Sequence, residues 1–333
     1  MSELQEILAR TEELIATSEP MALATIVATT GSTYRHAGAR MLIPAEGEPL
    51  GNVSGGCLED DVARIGREVI RTGVPQLAAF DLSADDDALW GYGLGCNGSF
   101  EIFIEPTEGA VQTAELLREN RAGFLITMLT GPAAGSHRFE ADASDDRPPS
   151  IREEDGARVF REPIQPPMRL IVCGAGHDAI PLVEQAAALG WRVTVADVRR
   201  ALLTHARFPD AADFCDADPE RAGEALGTDA RSSVVLMSHN YLRDIAYLRS
   251  LLDAEWRYLG VMGPRGRTEQ MLGEIGRSEA LERLHAPAGL DIGAETPDEV
   301  SRAIVAEILA VTRGHSGGPL RDRRAPIHGA WSG

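Results

Sequence analysis

No apolar run in the 333-residue sequence approaches the roughly twenty residues needed to cross a bilayer, so no membrane span is expected. Positive charge is scarce as well: 32 Lys and Arg stand against 51 Asp and Glu, a net charge of −19. Nucleic acid and anionic membrane surfaces are excluded as natural partners, because gripping phosphates requires a basic footprint. The N-terminus, MSELQEILARTEELIATSE, lacks the basic-then-apolar pattern of a secretory signal, which makes the cytoplasm the expected compartment. Cysteine is limited to Cys57, Cys96, Cys173 and Cys215, too dispersed for a disulfide framework and without C-x-x-C spacing for zinc. Missing too is a recognisable hydride-transfer constellation, such as a Tyr-Lys pair or a His with a carboxylate partner.

What is present is the composition of a soluble globular protein, 44% hydrophobic and 25% charged, at a length suited to two domains. The class expected is α/β: a smaller N-terminal α/β domain over residues 1–160, then a Rossmann-like, doubly wound parallel-sheet domain over 168–333 that ends in a tail. Between them the segment REPIQPP, 161–167, reads as a linker, since prolines deny regular structure and add stiffness.

The second domain opens on a complete strand–turn–helix–strand unit, Arg169 to Val198. Leu170–Cys173 has the short β-branched pattern of a buried parallel strand. Gly174, Gly176 and Ala179 then form G-x-G-x-x-A, with His177 inside the turn. A helix over Asp178–Leu189 and a strand over Trp191–Ala196 follow, and Asp197 lies at the interval where dinucleotide folds place a carboxylate for ribose hydroxyls. A ligand phosphate would sit at the helix N-terminus. Glycines that serve only helix–strand packing are the alternative. Arg199 and Arg200 leave NAD against NADP open, because arginine there accepts a 2′-phosphate. Cys173, inside the first strand, reads as a small buried hydrophobe. Further on, His239 follows the central strand Ser233–Ser238, at the strand end where ligands collect. Arg265 belongs to GPRGR, 263–267, a cationic loop suited to phosphate or carboxylate.

In the first half an amphipathic helix over 2–17 precedes a strand over 21–28. The loop that follows carries Thr30, Ser32, Thr33, Arg35, His36 and Arg40, hydroxyls and cations that suit either an anionic ligand or a solvated loop. In GNVSGGCLE, 51–59, Gly55 and Gly56 stand directly before Cys57 at the start of a helix over 60–72. A thiol among unpaired N–H groups favours thiolate, whereas Glu59, Asp60 and Asp61 oppose it if close; an inert cysteine after a Gly-Gly turn is the alternative. A second glycine loop, GYGLGCNGSF, 91–100, holds Cys96. A polar stretch, Ala141–Asp155, reads as a surface excursion.

The segments ATTGSTYRHAGARMLI (28–43), GNVSGGCLEDDV (51–62), GYGLGCNGSFEIFIEP (91–106), GAGHDAIPL (174–182), MSHNYLRDIAYL (237–248), YLGVMGPRGR (258–267) and GLDIGAETPDEV (289–300) together resemble the XdhC/CoxI family of molybdenum hydroxylase accessory proteins. Cysteines in both glycine loops are similar to its CoxI-type branch. The resemblance implies a homodimeric maturation chaperone more than an enzyme. Such a chaperone binds the molybdenum cofactor (molybdopterin or its cytosine dinucleotide), assists its sulfuration with a cysteine desulfurase, and hands it to an apo molybdenum hydroxylase of the xanthine or carbon monoxide dehydrogenase type. It further implies that the Thr30–Arg40 loop, with Arg35 and Arg40, holds pterin phosphate, that Gly55 and Gly56 bind the cofactor, and that Cys57 and Cys96 ligate molybdenum or carry sulfur. The Rossmann half would hold the nucleotide portion or NAD(P). Two rival readings are an NAD(P)-dependent oxidoreductase with His239 as acid–base, and a thiol redox protein using Cys57 and Cys96.

Overall fold

Residues 2–31, 33–81, 98–142, 148–216 and 218–324 are described by a computed structural model of the chain. It divides into two compact units, Ser2–Pro166 and from Pro167 onward, nearly equal in length.

The first unit begins with α1 (Glu3–Thr17), started by a capping box in which Ser2 and Gln5 exchange side chain-to-backbone hydrogen bonds. β1 (Met21–Gly31) follows, buried from Met21 to Val27. Its burial is unbroken because both faces are covered. Met21 and Leu23 pack with Ile7 and Leu14 of α1, while Ala22, Ala24 and Ile26 pack with Val62, Ala63 and Val69 of α2 (Glu59–Thr72), the strand's period of two dividing them. β2 (Arg40–Pro44), β3 (Leu50–Gly51), β4 (Gln76–Asp81) and β5 (Gly98–Glu105) complete an antiparallel sheet in the order β3-β2-β1-β5-β4. Helix α2 lies very close to it, for a Cβ at Gly66 would stand 2.4 Å from Ile43 Cδ1.

After α3 (Thr107–Arg118) comes a second antiparallel sheet, order β7-β6-β9-β8, of β6 (Gly123–Met128), β7 (His137–Glu140), β8 (Ser150–Glu154) and β9 (Ala157–Ile164). This corrects two expectations. The segment 161–167 is strand as far as Ile164, with Arg161 and Glu162 buried in it. The polar stretch 141–155 supplies β8, joined to β9 through Asp155 (φ 50°) and Gly156 (φ 78°), the two left-handed residues of a tight hairpin turn.

In the second unit β10 (Arg169–Cys173), β11 (Arg192–Ala196), β12 (Asp213–Cys215), β13 (Ser232–Leu236) and β14 (Tyr258–Val261) form one sheet in the order β12-β11-β10-β13-β14. Every pairing is parallel, so the Rossmann-like class holds. Leu170 and Val172 face one apolar layer, built from α4 (Ala179–Ala188) and the later helix Pro297–Thr312. Ile171 and Cys173 face the other. Between these two helices in the chain lie α5 (Ala222–Ala225), α6 (Tyr241–Leu252) and α7 (Arg265–Ile275), so the Pro297–Thr312 helix is α8. Because α7 starts at Arg265, the cationic loop expected over 263–267 is largely the first turn of a helix. No helix among the described residues is long and apolar enough to cross a membrane.

Candidate functional site

In the first unit Cys57 sits half-buried in a loop folded around one carboxylate. Gly55 (φ 101°) and Gly56 (φ 115°) take left-handed conformations, which turns successive N–H groups inward. Glu59 accepts from the N–H groups of Val53 (3.1 Å), Ser54 (2.8 Å), Gly55 (3.3 Å), Gly56 (2.9 Å) and Leu58 (3.1 Å), and from the Ser54 hydroxyl (2.5 Å). The Cys57 N–H donates to Ser54 Oγ at 3.1 Å. Burial pushes the Glu59 pKa up, but the Ser54 hydroxyl and the backbone donors outweigh it and leave it below the ordinary value. The donors expected to surround the thiol are therefore turned to a carboxylate two residues away. The Tyr34 ring lies over the same turn, 3.2 Å from where a Cβ at Gly55 would stand.

Arg40 is not placed to meet a ligand. It is 5% exposed and forked onto Glu162, Nη1 to Oε1 at 2.9 Å and Nη2 to Oε2, with Nη1 also reaching Gly38 O. Arg35 pairs with Glu3 of α1. Cys96 and Ser32 lie outside the described residues. A second buried polar cluster is one that sequence reasoning missed: His137 Nε2 lies 2.7 Å from Glu105 Oε2, with Thr113 on Glu105 and Thr127 on His137 Nδ1.

In the second unit the G-x-G-x-x-A turn has a packing reason for its first glycine. A Cβ at Gly174 (φ 129°) would stand 2.5 Å from Met237 O and 2.7 Å from Ser238 Cα, so the turn lies against the segment that leads from β13 to His239. Near Gly176 the neighbours are Asp178 Oδ1, 2.7 Å from a Cβ built there, and His239 Cδ2 at 3.7 Å. His177 is exposed. Asp197 is buried and accepts from Ala175 N–H and from the backbone and guanidinium of Arg199. Burial raises its pKa, but the Arg199 guanidinium and the two backbone donors prevail and hold it at about 2.

His239 adopts a left-handed backbone, φ 54°, at the point where strand order reverses between β10 and β13, the usual ligand crevice of such sheets. Its Nε2 is 2.5 Å from Asp178 Oδ2. The carboxylate partner missing from the sequence pattern is thus present, supplied by a residue 61 positions away. The turn is held rigidly. Buried Asp244 accepts from Ser238 Oγ (2.6 Å) and Arg267 Nη2 (2.6 Å), and Asn240 caps α6. A cavity of about 270 Å³ adjoins, lined by Met237, His239, Asp244, Met262 and Arg267 among others. Arg265 points away into an exposed pair with Glu269. Cys173 is buried, which pushes its thiol well up.

A bound molybdenum cofactor makes modest demands on the chain's own ligands. Among the described residues no group of three or more His, Cys, Asp and Glu could hold a bare metal ion. A metal that brings most of its ligands with it needs only one soft donor, and the half-buried Cys57 thiol is one.

Two family models match: that of the XdhC and CoxI family over residues 14–81, which includes the Cys57 loop, and that of the XdhC Rossmann domain over 170–308. A Bacillus subtilis protein named as a probable subunit of xanthine dehydrogenase is 32% identical over 90% of this chain and 95% of its own length. The Escherichia coli molybdenum cofactor insertion chaperone PaoD is 24% identical over 90% of this chain and 86% of its own. A crystal structure described as a xanthine dehydrogenase from Bacillus halodurans superposes with a TM-score of 0.78 at 29% identity, covering 96% of this chain and 99% of that one. With its cysteine loop and its Rossmann sheet each matched and a relative aligned over nearly its whole length, the chain belongs to the XdhC and CoxI family.

Proposed function

We propose that the protein binds the molybdenum cofactor and passes it to a molybdenum hydroxylase of the xanthine dehydrogenase type, acting as a maturation chaperone. The observation that carries this reading is the Cys57 loop: a half-buried thiol on a backbone fixed by Glu59, within a chain whose relatives include an insertion chaperone. Bound there, the cofactor would supply a thiophilic metal. Cys57 would hold that metal through its sulfur, and the hydrogen-bonded Ser54–Leu58 turn would keep the sulfur in one place. Cys96 is proposed as the second thiol, for metal or for sulfur received from a cysteine desulfurase, and the working form as a homodimer in the cytoplasm. The second unit is proposed to hold a nucleotide, either the nucleotide portion of a dinucleotide form of the cofactor or NAD(P).

Protein purified from a molybdenum-replete host is expected to carry molybdenum and to release fluorescent oxidised pterin, and C57S to lose both. Retention of both in C57S and in C96S would remove these cysteines from the site. The His239–Asp178 pair favours a second reading, an NAD(P)-dependent oxidoreductase with His239 moving the proton. Wild type with neither molybdenum nor pterin, but with nicotinamide turnover on a carbonyl substrate that H239Q abolishes, would favour it.

A further inference from the structure

We infer that Arg199, and not Asp197, meets the ribose of a nucleotide in the second unit, and that it selects a ribose bearing a phosphate over one with two free hydroxyls. The inference rests on the proposal that this unit binds a nucleotide, and it names the class.

In dinucleotide folds the acid at the end of the second strand accepts the ribose hydroxyls. An ionised carboxylate has about four acceptor positions on its two oxygens. At Asp197 the chain fills all of them. Oδ1 takes the Arg199 N–H at 2.8 Å and Arg199 Nε at 2.9 Å; Oδ2 takes the Ala175 N–H at 2.8 Å and Arg199 Nη2 at 2.6 Å. The residue is 2% exposed. A ribose hydroxyl could donate to Asp197 only by displacing one of these charge-assisted bonds, which are about twice as strong as neutral ones.

The Arg199 side chain, by contrast, is 41% exposed. Its Nε and Nη2 are spent on Asp197, and among the described residues Nη1 has no hydrogen bond, so one edge of the guanidinium still presents donors. Arg207 lies at the same turn, its Nε 3.3 Å from Ala175 O, and Arg200 follows directly, 85% exposed and paired with Asp216. These three guanidiniums share the rim with the carboxylates of Asp197, Asp216 and, at the glycine turn, Asp178, so the donor edge of Arg199 and not an excess of positive charge carries the selection. A guanidinium only donates; a diol can accept from it through neutral oxygens, whereas a phosphate monoester accepts through charged ones in bonds about twice as strong. Arg199 thus acts twice: it withdraws the acceptor that would read a diol and offers a donor that reads a phosphate.

The test is calorimetric titration of NADP⁺ and NAD⁺ into the full chain, wild type and R199A. Wild type is expected to bind NADP⁺ at least about tenfold more tightly than NAD⁺, a difference near 1.4 kcal/mol. In R199A two acceptor positions of Asp197 open, so NAD⁺ should tighten while NADP⁺ weakens and the preference reverses. A merely structural arginine would weaken both ligands alike, and circular dichroism of this exposed-site variant shows whether the fold is kept. Equal binding of both ligands in wild type, or a preference unchanged in R199A, overturns the inference while leaving the nucleotide proposal standing. If neither ligand binds wild type, the NAD(P) form of the nucleotide proposal falls and this inference with it.

Discussion

Removing the Arg40 guanidinium would strand the Glu162 carboxylate, which is 7% exposed and, among the described residues, hydrogen-bonded through that fork. Breaking a buried pair from one side costs about 3–5 kcal/mol, so R40M should lower the unfolding free energy by that order in denaturant titrations. The double variant R40M/E162L should recover most of it. Were Arg40 instead a phosphate ligand, the double variant would stay folded and lose ligand, with R40M alone scarcely destabilised. Acid sensitivity belongs to the same scale. The Asp197 pKa lies at about 2 in the fold, below its unfolded value near 4. Its contribution is therefore complete above pH 4 and lost as pH falls towards 2, worth about 2 kcal/mol. D197N should flatten the pH dependence of stability in that window, read as melting temperature between pH 5 and pH 2.5. Cys57 was legible as a candidate because Gly55 and Gly56 precede it. Neither the Glu162 partner of Arg40 nor the Asp178 partner of His239 was, since each lies far off in sequence and only the fold brings it near.

Among the elements, the β10–α4 turn tolerates least. A methyl at Gly174 would meet the Met237 carbonyl at 2.5 Å, and its φ of 129° strains any other residue. G174A should therefore cost more than about 2 kcal/mol and also disturb His239, seen as a change in its ring NMR resonances. The parallel strands were readable because burial on both faces writes a continuous β-branched run. β9 was not, because Pro163 and the two prolines after it resemble a linker. Pro163 is accommodated where β9 pairs with β6 opposite Phe124, and Arg161 and Glu162 are buried through charge pairing, which hydropathy cannot anticipate. The one local sign of the β8–β9 hairpin was Asp155-Gly156, a strong type I′ turn signal set within a polar stretch that concealed it.

At the level of the molecule, each unit owns its apolar layers. Among the described residues, those around β10 and β13 draw on residues from Met168 onward, and those around β1 and β6 on residues up to Ile164. A fragment starting at Met168 should accordingly fold alone, with a cooperative melt and helical circular dichroism; a molten fragment would mean that its layers need the first unit. The charge of −19 would favour a basic docking face on the proposed hydroxylase partner and make that association weaken as salt rises.

The seating of Glu59 bears on what the cysteine loop rejects. Molybdate and inorganic phosphate circulate in any cell as small dianions, and the inward-facing amides of residues 53–58 would make a trap for them were the cradle vacant. Because a tethered negative charge already fills it, free oxyanions find neither donors nor a favourable potential there. On the proposed role of Cys57, the loop would be left responsive to affinity for sulfur and so would tell an assembled cofactor from free oxyanions.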